Sequence, residues 1–397
     1  MKKRFSIISM LTLVLIASAL TCAITWFFMV RQNHEDDDIT AAVLEYAALL
    51  ETIDRVYIGH FDVEEVSAEA MRGAVDALGD RWSYYMTPAE YARFLDRARN
   101  RYPGIGVGVD TTVYTEGIKV IFVYKGSAAE TAGIIAGDII TGVDGEDIAG
   151  TDVNGLRDLL ARPIGDTITL RIKREDGTTH ELKVVYSYIF IDPVSFELLD
   201  GNVGYIRLEN FDEGAADRFI LAANELIEQG AIAFVYDVRL NGGGRVSEMT
   251  KILDYLLPEG EIFVTVDKSG SETITRSGPE MIDLPAVVLV DKNSYSAAEY
   301  FAALLSEYDY AQTVGEQTTG KSRMQITLEL PGGGALHISS SQYLTKNRVS
   351  LHDIGGLTPD HIVTLTDEQA ALFAAGELAK EDDTQLQKAL LLLPPLK

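Results

Sequence analysis

Directly after the segment Gly315–Gln325, GEQTTGKSRMQ, apolar residues recur at every second position: Met324, Ile326, Leu328 and Leu330, with Gln325, Thr327 and Glu329 between them. The run stops at Pro331-Gly-Gly-Gly334. A period of two belongs to a strand, and the closing glycines signal a hairpin. This pattern constrains the fold because the segment also satisfies G-x-x-x-x-G-K-[ST] through Gly315, Gly320, Lys321 and Ser322. A phosphate loop of that form needs a helix after the lysine, whose first amides and dipole hold the phosphates. The acidic strand end it also needs could come from Val287–Asp291, but that segment precedes the loop, whereas the commoner order is the reverse. The nucleotide-hydrolase reading is therefore the weaker one.

At 397 residues the chain exceeds one ordinary core, so two or three domains are expected. Lys2, Lys3 and Arg4 precede an uncharged, mostly apolar run, Phe5–Val30, followed by Arg31 and the cluster His34–Asp38. Twenty-six residues at about 1.5 Å each exceed the ~30 Å hydrocarbon core of a bilayer, so the run can span it. Three basic residues before the run, against one basic and four acidic after it, orient the amino terminus to the cytoplasm. Everything from about residue 32 onward is then expected outside the cell or in the periplasm. The rival is a cleaved signal peptide, with Ala17-Ser-Ala19 as its small-residue site and a secreted product. The run continues through Trp26, Phe27 and Phe28, which favours a retained single-pass anchor. Its Cys22 is the chain's sole cysteine, so no disulfide is expected in the exported part. A net charge of −26 argues against a nucleic-acid partner. His34–Asp38 reads as a solvated charge run beside the membrane, and neither a metal nor a cofactor is expected.

Four segments follow: the basic start and anchor, 1–31; a helical region, 32–101; a β-rich module with two helices, 102–186; and an α/β domain, 187–397. In the second, Leu44, Ala47, Ala48, Ile53 and Val56 fall near one face, and Thr87-Pro-Ala-Glu90 reads as a capped helix start through Arg97. Arms of this kind often mediate self-association, so a homo-oligomer is expected there. The third opens with Gly104-Ile-Gly-Val-Gly108 and reads GSAAETAGIIAGDIITGVDGEDI over Gly126–Ile148. Its A-G-x-x-x-G-D-x-I core, Ala132–Ile140, carries a resemblance to PDZ domains that covers nearly the whole module. That resemblance implies that the turn of Gly104, Ile105, Gly106 and Val107 presents backbone amides to a peptide's terminal carboxylate. The last region alternates strands (Val203–Glu209, Ile232–Asp237, Ile262–Val266, Val287–Val290) with amphipathic helices (Asp212–Glu228 and one bearing Met249, Ile252, Leu253 and Leu256).

No lipase-type G-x-S-x-G is present, no Ser stands three residues before a Lys, and none of the six His has a setting that recommends a triad. Ser296 stands apart: it follows an apolar strand and the turn Asp291–Tyr295, and it opens a helix expected through Tyr308. A serine at such a junction sits beside a backbone amide directed at the same space, which an oxyanion hole requires. Its plain alternative is a helix N-cap.

Ser294-Tyr-Ser-Ala-Ala-Glu299 resembles the S-A-S-A-S-E-like nucleophile segment of the carboxy-terminal processing peptidases, or tail-specific proteases, with Ser296 at the nucleophile's place. Gly315–Gln325 is similar to that family's G-x-x-T-x-G-K-x-x-x-Q segment, matching at Thr318, Gly320, Lys321 and Gln325. Asp237–Gly244 resembles its D-L-R-x-N-P-G-G loop and Gly356–Asp360 its G-I-x-P-D turn. The departures are Gly242 for Pro, Tyr295 and Ala298 beside the nucleophile, and Ala128 for Pro in the PDZ segment.

The resemblance implies an α/β protease domain of the ClpP/crotonase-like kind. It also implies a serine endopeptidase that cleaves proteins or peptides captured by their C-terminal tails. Lys321 is its general base, Gln325 orients Lys321, and the backbone N–H groups of Gly243 and Ala297 hold the oxyanion. A lysine is a base only when neutral, so its pKa must fall from about 10.4 to near 7, which burial away from carboxylates supplies. Asp237 and Arg239 are expected as a structural ion pair at a strand end. The competing readings are a catalytically silent PDZ scaffold and, more weakly, the phosphate-loop NTPase.

Overall fold

The computed structural model describes residues 38–394, apart from 111–114, 152–154, 156–158 and 280. The expected membrane run, Cys22 and the residues before Asp38 lie outside the described residues. Among the described residues no helix is long and apolar enough to cross a membrane, and no cluster of His, Cys, Asp or Glu is arranged to hold a metal.

The chain divides into two units, the first ending at Ala74. That first unit is helical over residues 38–56 and again from Val63, and Tyr46 Oη lies 3.2 Å from Ser67 Oγ across the pair. Large apolar side chains on it, including Ile39, Leu44 and Val56, are exposed.

Within the stretch expected as helical to residue 101, the second unit also contains a strand. Strand β1 (Tyr84–Met86) interrupts it and pairs antiparallel with Ala335–His337, so this stretch is fastened into a sheet. The Thr87 cap is as expected: Thr87 and Glu90 form a reciprocal capping box on the helix Pro88–Arg97.

Next comes the PDZ-like module. Strands β2 (Arg101–Gly104) and β9 (Ser187–Phe190) close its base as an antiparallel pair. Between them β3 (Val107–Val109), β4 (Ile118–Val123), β5 (Ile139–Val143), β7 (Thr167–Lys173) and β8 (Thr179–Val185) form one sheet, with the short β6 (Glu146–Asp147) on β5. Alternate residues Ile168, Leu170 and Ile172 are fully buried against Ile118, Val120 and Ile140. Ala128 opens the helix Ala128–Ala132. Proline is at home at a first helical position, so the alanine that replaces it there is a mild change.

The last region is built on β10 (Val194–Leu199), β11 (Val203–Leu208), β12 (Ala233–Asp237), β15 (Ala286–Val290), β16 (Ala311–Gly315) and β19 (His361–Ile362), in that order across one sheet. All neighbours are parallel except β10 and β11. Being covered on both sides, the central strands β12 and β15 are buried at every position and almost wholly apolar, Asp237 at the end of β12 excepted. Phe234, Tyr236, Val288 and Val290 pack under the helices Ala215–Glu228, Val246–Leu256 and Ala297–Glu307. Val235, Val287 and Leu289 face the helix Thr384–Leu392 through Leu386 and Ala389. A second, antiparallel sheet comprises β1, β18 (Ala335–Thr345), β13 (Gly260–Asp267) and β14 (Glu272–Ser277), with β17 (Arg323–Glu329) hydrogen-bonded to β18.

β17 is the strand that the period-two pattern predicts, and no helix follows Lys321, so the segment has none of the architecture of a phosphate loop. Ile326 and Leu328 are 41% and 49% exposed, and a bulge between Met324 and Gln325 shifts the register. The extra residue, Ser340, lies on β18, where Ser341 and Ser339 stand opposite the consecutive Met324 and Gln325.

Asp237 ends β12 and forms the expected ion pair with Arg239, entirely buried. Arg239 also bonds Asp383 Oδ1 and Oδ2 at 3.0 and 2.8 Å and Gln385 Oε1 at 2.9 Å, at the start of the last helix, and its guanidinium lies 3.9 Å from the Phe373 ring centroid. Burial works to raise the Asp237 pKa, but Arg239 and its hydrogen bonds outweigh it and leave the carboxyl below its usual value. Removing one member of such a cluster strands buried charge. Arg239→Ala is therefore expected to lower unfolding free energy by about 3–5 kcal/mol, read from urea denaturation.

Candidate active site

Ser296 lies at the N-terminus of the helix Ala297–Glu307, just past the turn that leaves β15, with φ of 58° and ψ of −125°. A left-handed φ on a serine is unfavourable unless its surroundings enforce it. They do: Ser294 Oγ donates to Val238 O at 2.7 Å, Tyr295 N to Asn241 O at 3.2 Å, and Ser296 N to Glu299 Oε1 at 2.9 Å. The nucleophile turn is thereby laced to the Asp237–Gly244 loop beneath it.

Glu299 receives no role from the sequence, yet it joins the two key segments. Its side chain is fully buried and accepts from Ser296 N, from Lys321 N at 2.6 Å, from Gly320 N at 2.8 Å and from Thr318 Oγ1 at 2.7 Å. Burial raises its pKa, against the hydrogen bonds from Thr318, Lys321, Gly320 and Ser296. Thr318 Oγ1 in turn accepts from Leu357 N, and Gly356 packs so close to Thr318 that a Cβ there would lie 2.1 Å from its carbonyl oxygen. Glycine is required at that contact.

Lys321 stands in the turn before β17, not on the strand. Its Nζ lies 4.4 Å from the Trp82 ring centroid and 5.8 Å from that of Tyr295, and the two rings are 5.7 Å apart. Burial brings its pKa down to about 8, opposed first by Asp80 and then by Glu299. The expectation of surroundings without carboxylates is thus corrected. Both acids are engaged elsewhere, Glu299 with amides and Asp80 with Ser83 Oγ at 2.6 Å and Arg323 at 3.2 Å. Among the described residues no ion pair closes on the Lys321 amine. Asp80 and Trp82 reach the site because β1 fastens their segment to β18, more than two hundred residues away in sequence. His337, also on β18, has its pKa pushed down to about 4 by burial and, second, by Lys321, so it is neutral there.

Gln325 sits past the bulge, and its amide donates to Arg323 O at 2.9 Å and Ser339 Oγ at 3.0 Å. No described hydrogen bond joins it to Lys321, so the shared face expected from a four-residue spacing is not realised. The cause is local: Lys321 lies in the turn before β17, so strand alternation does not relate it to Gln325.

Gly243 lies against the nucleophile as expected, since a Cβ on it would fall 2.9 Å from both Ala297 N and Ser296 Cβ. Its N–H, however, donates to Asn241 Oδ1 at 2.8 Å. The Ala297 N–H is the first of its helix, where no intrahelical acceptor exists. The Ser296 hydroxyl is 2.9 Å from Tyr343 Oη, a contact absent from the sequence expectations. Ser322, the would-be magnesium ligand, bonds the Tyr300 hydroxyl at 2.7 Å and accepts from His352 N at 2.8 Å.

In the PDZ-like module a cleft of about 450 Å³ is lined by Gly104, Ile105, Gly106, Val107, Tyr124 and Leu160, among others. The Ile105 and Gly106 carbonyls accept from Ala129 N and Tyr124 N. Across a trans peptide the next N–H points the opposite way, so the Gly106 and Val107 amides turn away from those partners.

This arrangement, a strained serine at a helix start whose turn is tied through Glu299 to the segment of a half-buried lysine of lowered pKa, suits acyl transfer. Comparison with known proteins agrees. Residues 202–363 match the model of peptidase family S41, and residues 120–174 match a PDZ-domain model. A carboxyl-terminal-processing protease of Picosynechococcus is 32% identical over 335 residues, covering 82% of this chain and 78% of that protein. A carboxy-terminal processing protease of Bacillus subtilis is 29% identical over 308 residues, covering 77% and 66%. The crystal structure of a putative S41 protease from Bacteroides fragilis shares the fold, with a TM-score of 0.53 at 19% identity over 84% of this chain and 91% of that one.

Two departures from the family's segments have one cause. A Cβ on Gly242 would lie 2.5 Å from the Tyr295 hydroxyl oxygen and 2.7 Å from its ring, so glycine at 242 makes room for the tyrosine. Gly242→Ala is expected to destabilise by about 1–3 kcal/mol in the wild-type background. Much of that cost should vanish beside Tyr295→Ala, giving a coupling above about 0.5 kcal/mol in a thermal-unfolding double-mutant cycle.

Proposed function

We propose, for a chain that belongs to peptidase family S41 and is a C-terminal processing serine protease, that Ser296 is the nucleophile and Lys321 its general base. The observation that carries this reading is the Lys321 amine: half-buried, without an ion pair among the described residues, and with a pKa brought down by desolvation to about 8. Lys321 takes the Ser296 proton, and Ser296 Oγ attacks the peptide carbonyl. The lysine then gives that proton to the leaving amine, and water hydrolyses the acyl-enzyme by the same route reversed.

The oxyanion is held by the Ala297 N–H, supported by its place at the helix start and the dipole behind it. Gly243 becomes a second donor when substrate draws its N–H from Asn241; its contact with Ser296 and Ala297 supports that role. Gln325 orients Lys321 only after the hairpin of β17 and β18 shifts, so its role belongs to the substrate-bound state.

The PDZ cleft captures substrate C-terminal tails through the outward amides of Gly106 and Val107, and the apolar lining of that cleft suits an apolar terminal side chain. The run Phe5–Val30 anchors the chain in a membrane with the protease outside. Exposed apolar residues of the first unit favour self-association. The parallel sheet flanked by helices supports a ClpP/crotonase-like ancestry for the protease domain. A silent scaffold would have no need of a half-buried lysine without an ion pair among the described residues, since desolvating such a group costs stability.

The test is the pH profile of kcat/KM on a peptide with a free tail. The base must be neutral, so activity should rise with pH through an apparent pKa of about 8 and fall about tenfold per pH unit well below it. Ser296→Ala and Lys321→Arg should both be inactive while folded, since guanidinium stays charged. Turnover by Lys321→Arg, or a rate independent of pH between about 6.5 and 9.5, would exclude a neutral lysine base.

A further inference from the structure

We propose that Tyr343 is a catalytic residue of this protease, its hydroxyl donating a hydrogen bond to Ser296 Oγ that orients the nucleophile and strengthens as charge develops on it. The inference rests on Ser296 being the nucleophile. Tyr343 is 2% exposed, on β18 opposite Thr265 of β13, and its ring packs edge-on against Tyr300 at 4.3 Å between centroids. Its backbone is fixed as well: its N–H donates to Ser322 O at 3.0 Å, and its carbonyl accepts from the Tyr300 hydroxyl at 2.7 Å. The hydroxyl is thus carried on a rigid support, 2.9 Å from Ser296 Oγ.

Either oxygen of that pair could donate on distance alone, and burial decides between them. Ser296 Oγ is the one partner recorded for the Tyr343 hydroxyl among the described residues. If the phenol only accepted, its own hydrogen would be buried without an acceptor, which costs free energy. If it donates, that hydrogen is satisfied and the Ser296 hydrogen is released from Tyr343, free to be directed to Lys321. Burial also pushes the phenol pKa well above its ordinary value, so it stays protonated wherever the lysine is neutral.

The proton balance is simple. The Ser296 proton goes to Lys321, one Oγ lone pair forms the bond to the carbonyl carbon, the carbonyl π pair moves to its oxygen, and Tyr343 keeps its own proton throughout. A second Oγ lone pair receives the phenol hydrogen. As Oγ acquires negative charge on the way to attack, and again on the way to expulsion from the acyl-enzyme, that bond becomes charge-assisted and shortens its partner's energetic distance to the transition state.

Tyr343→Phe keeps the ring that packs on Tyr300 and removes the hydroxyl alone. In the purified full chain it is expected to lower kcat and the rate of Ser296 labelling by a fluorophosphonate roughly tenfold to hundredfold. KM, the pH limb of Lys321 and the thermal midpoint should change little. The labelling amplitude counts competent sites, so partial unfolding is corrected for. Tyr300→Phe is the structural control: it loses bonds in the same cluster without touching Ser296, and it should lower stability more than the rate per competent site. Rates per site within twofold of wild type in Tyr343→Phe, or faster, would overturn the proposal, as would an unchanged plateau with a displaced limb. Ser296→Ala run in parallel separates the two levels: activity without the serine hydroxyl removes the nucleophile assignment itself, whereas a dead Ser296→Ala beside a fully active Tyr343→Phe removes only the role of the tyrosine.

Discussion

The carboxylate of Glu299 holds the site together. Ionised, a carboxylate offers about four lone-pair positions, and here four donors take them: two amides of the lysine loop, the amide of Ser296 and the Thr318 hydroxyl. One buried acid at a helix N-terminus, where the dipole favours negative charge, thereby fixes the serine's strained backbone and the path of the loop that presents Lys321. It does so while leaving the lysine amine unpaired. Had either oxygen been free to reach Nζ, an ion pair would have raised the lysine pKa and removed the base. Saturation with amides keeps the charge nearby but occupied.

The parallel sheet and its buried Arg239 cluster supply the rigidity this arrangement needs. Asp237 ends a central strand, Arg239 turns back to it, and Asp383 with Gln385 brings the last helix onto the same point. The loop Leu240–Gly244 leaves from that anchored corner and runs directly beneath the nucleophile turn, with Leu240 N bonded to Asp291 Oδ1 and Asn241 Nδ2 to Leu208 O. The charge cluster lies away from the reacting groups, but it sets where Gly243 and Ser296 meet.

Above the lysine the chain departs from its family in a coordinated way. Tyr295 beside the nucleophile needs the space that Gly242 leaves, and its ring meets Trp82, which in turn covers the Lys321 amine. An aromatic face favours the charged lysine, so Trp82 works against the neutral base while also excluding the water that would otherwise keep the pKa high. The lysine pKa near 8 is the resultant of burial, which lowers it, of Asp80 and Glu299, which raise it, and of Arg81, which lowers it further.

Sequence alone determined much of this. Period-two alternation after Lys321 argued against a phosphate-binding helix, and apolar periodicity placed β11, β12, β15 and the helices around them to within a few residues. Local chemistry is what such patterns encode, and Thr87 with Glu90 is one instance: a cap is made by residues three apart. The segments bearing Ser296, Lys321 and Gly243 were legible through their resemblance to a family's short motifs, since each is a contiguous run. What sequence could not supply were partners made by contact across long separations. Trp82 and Asp80 arrive through the pairing of β1 with β18, Tyr343 through the stacking of β18 over the nucleophile helix, and Asp383 through the docking of the last helix. No local period marks such residues. The bulge of β18 opposite Gln325 was hidden for a related reason, since alternation is a property of the chain, whereas register is decided by the strand it pairs with. The sequence therefore determined which groups are chemically capable, and the tertiary structure decided which of them meet.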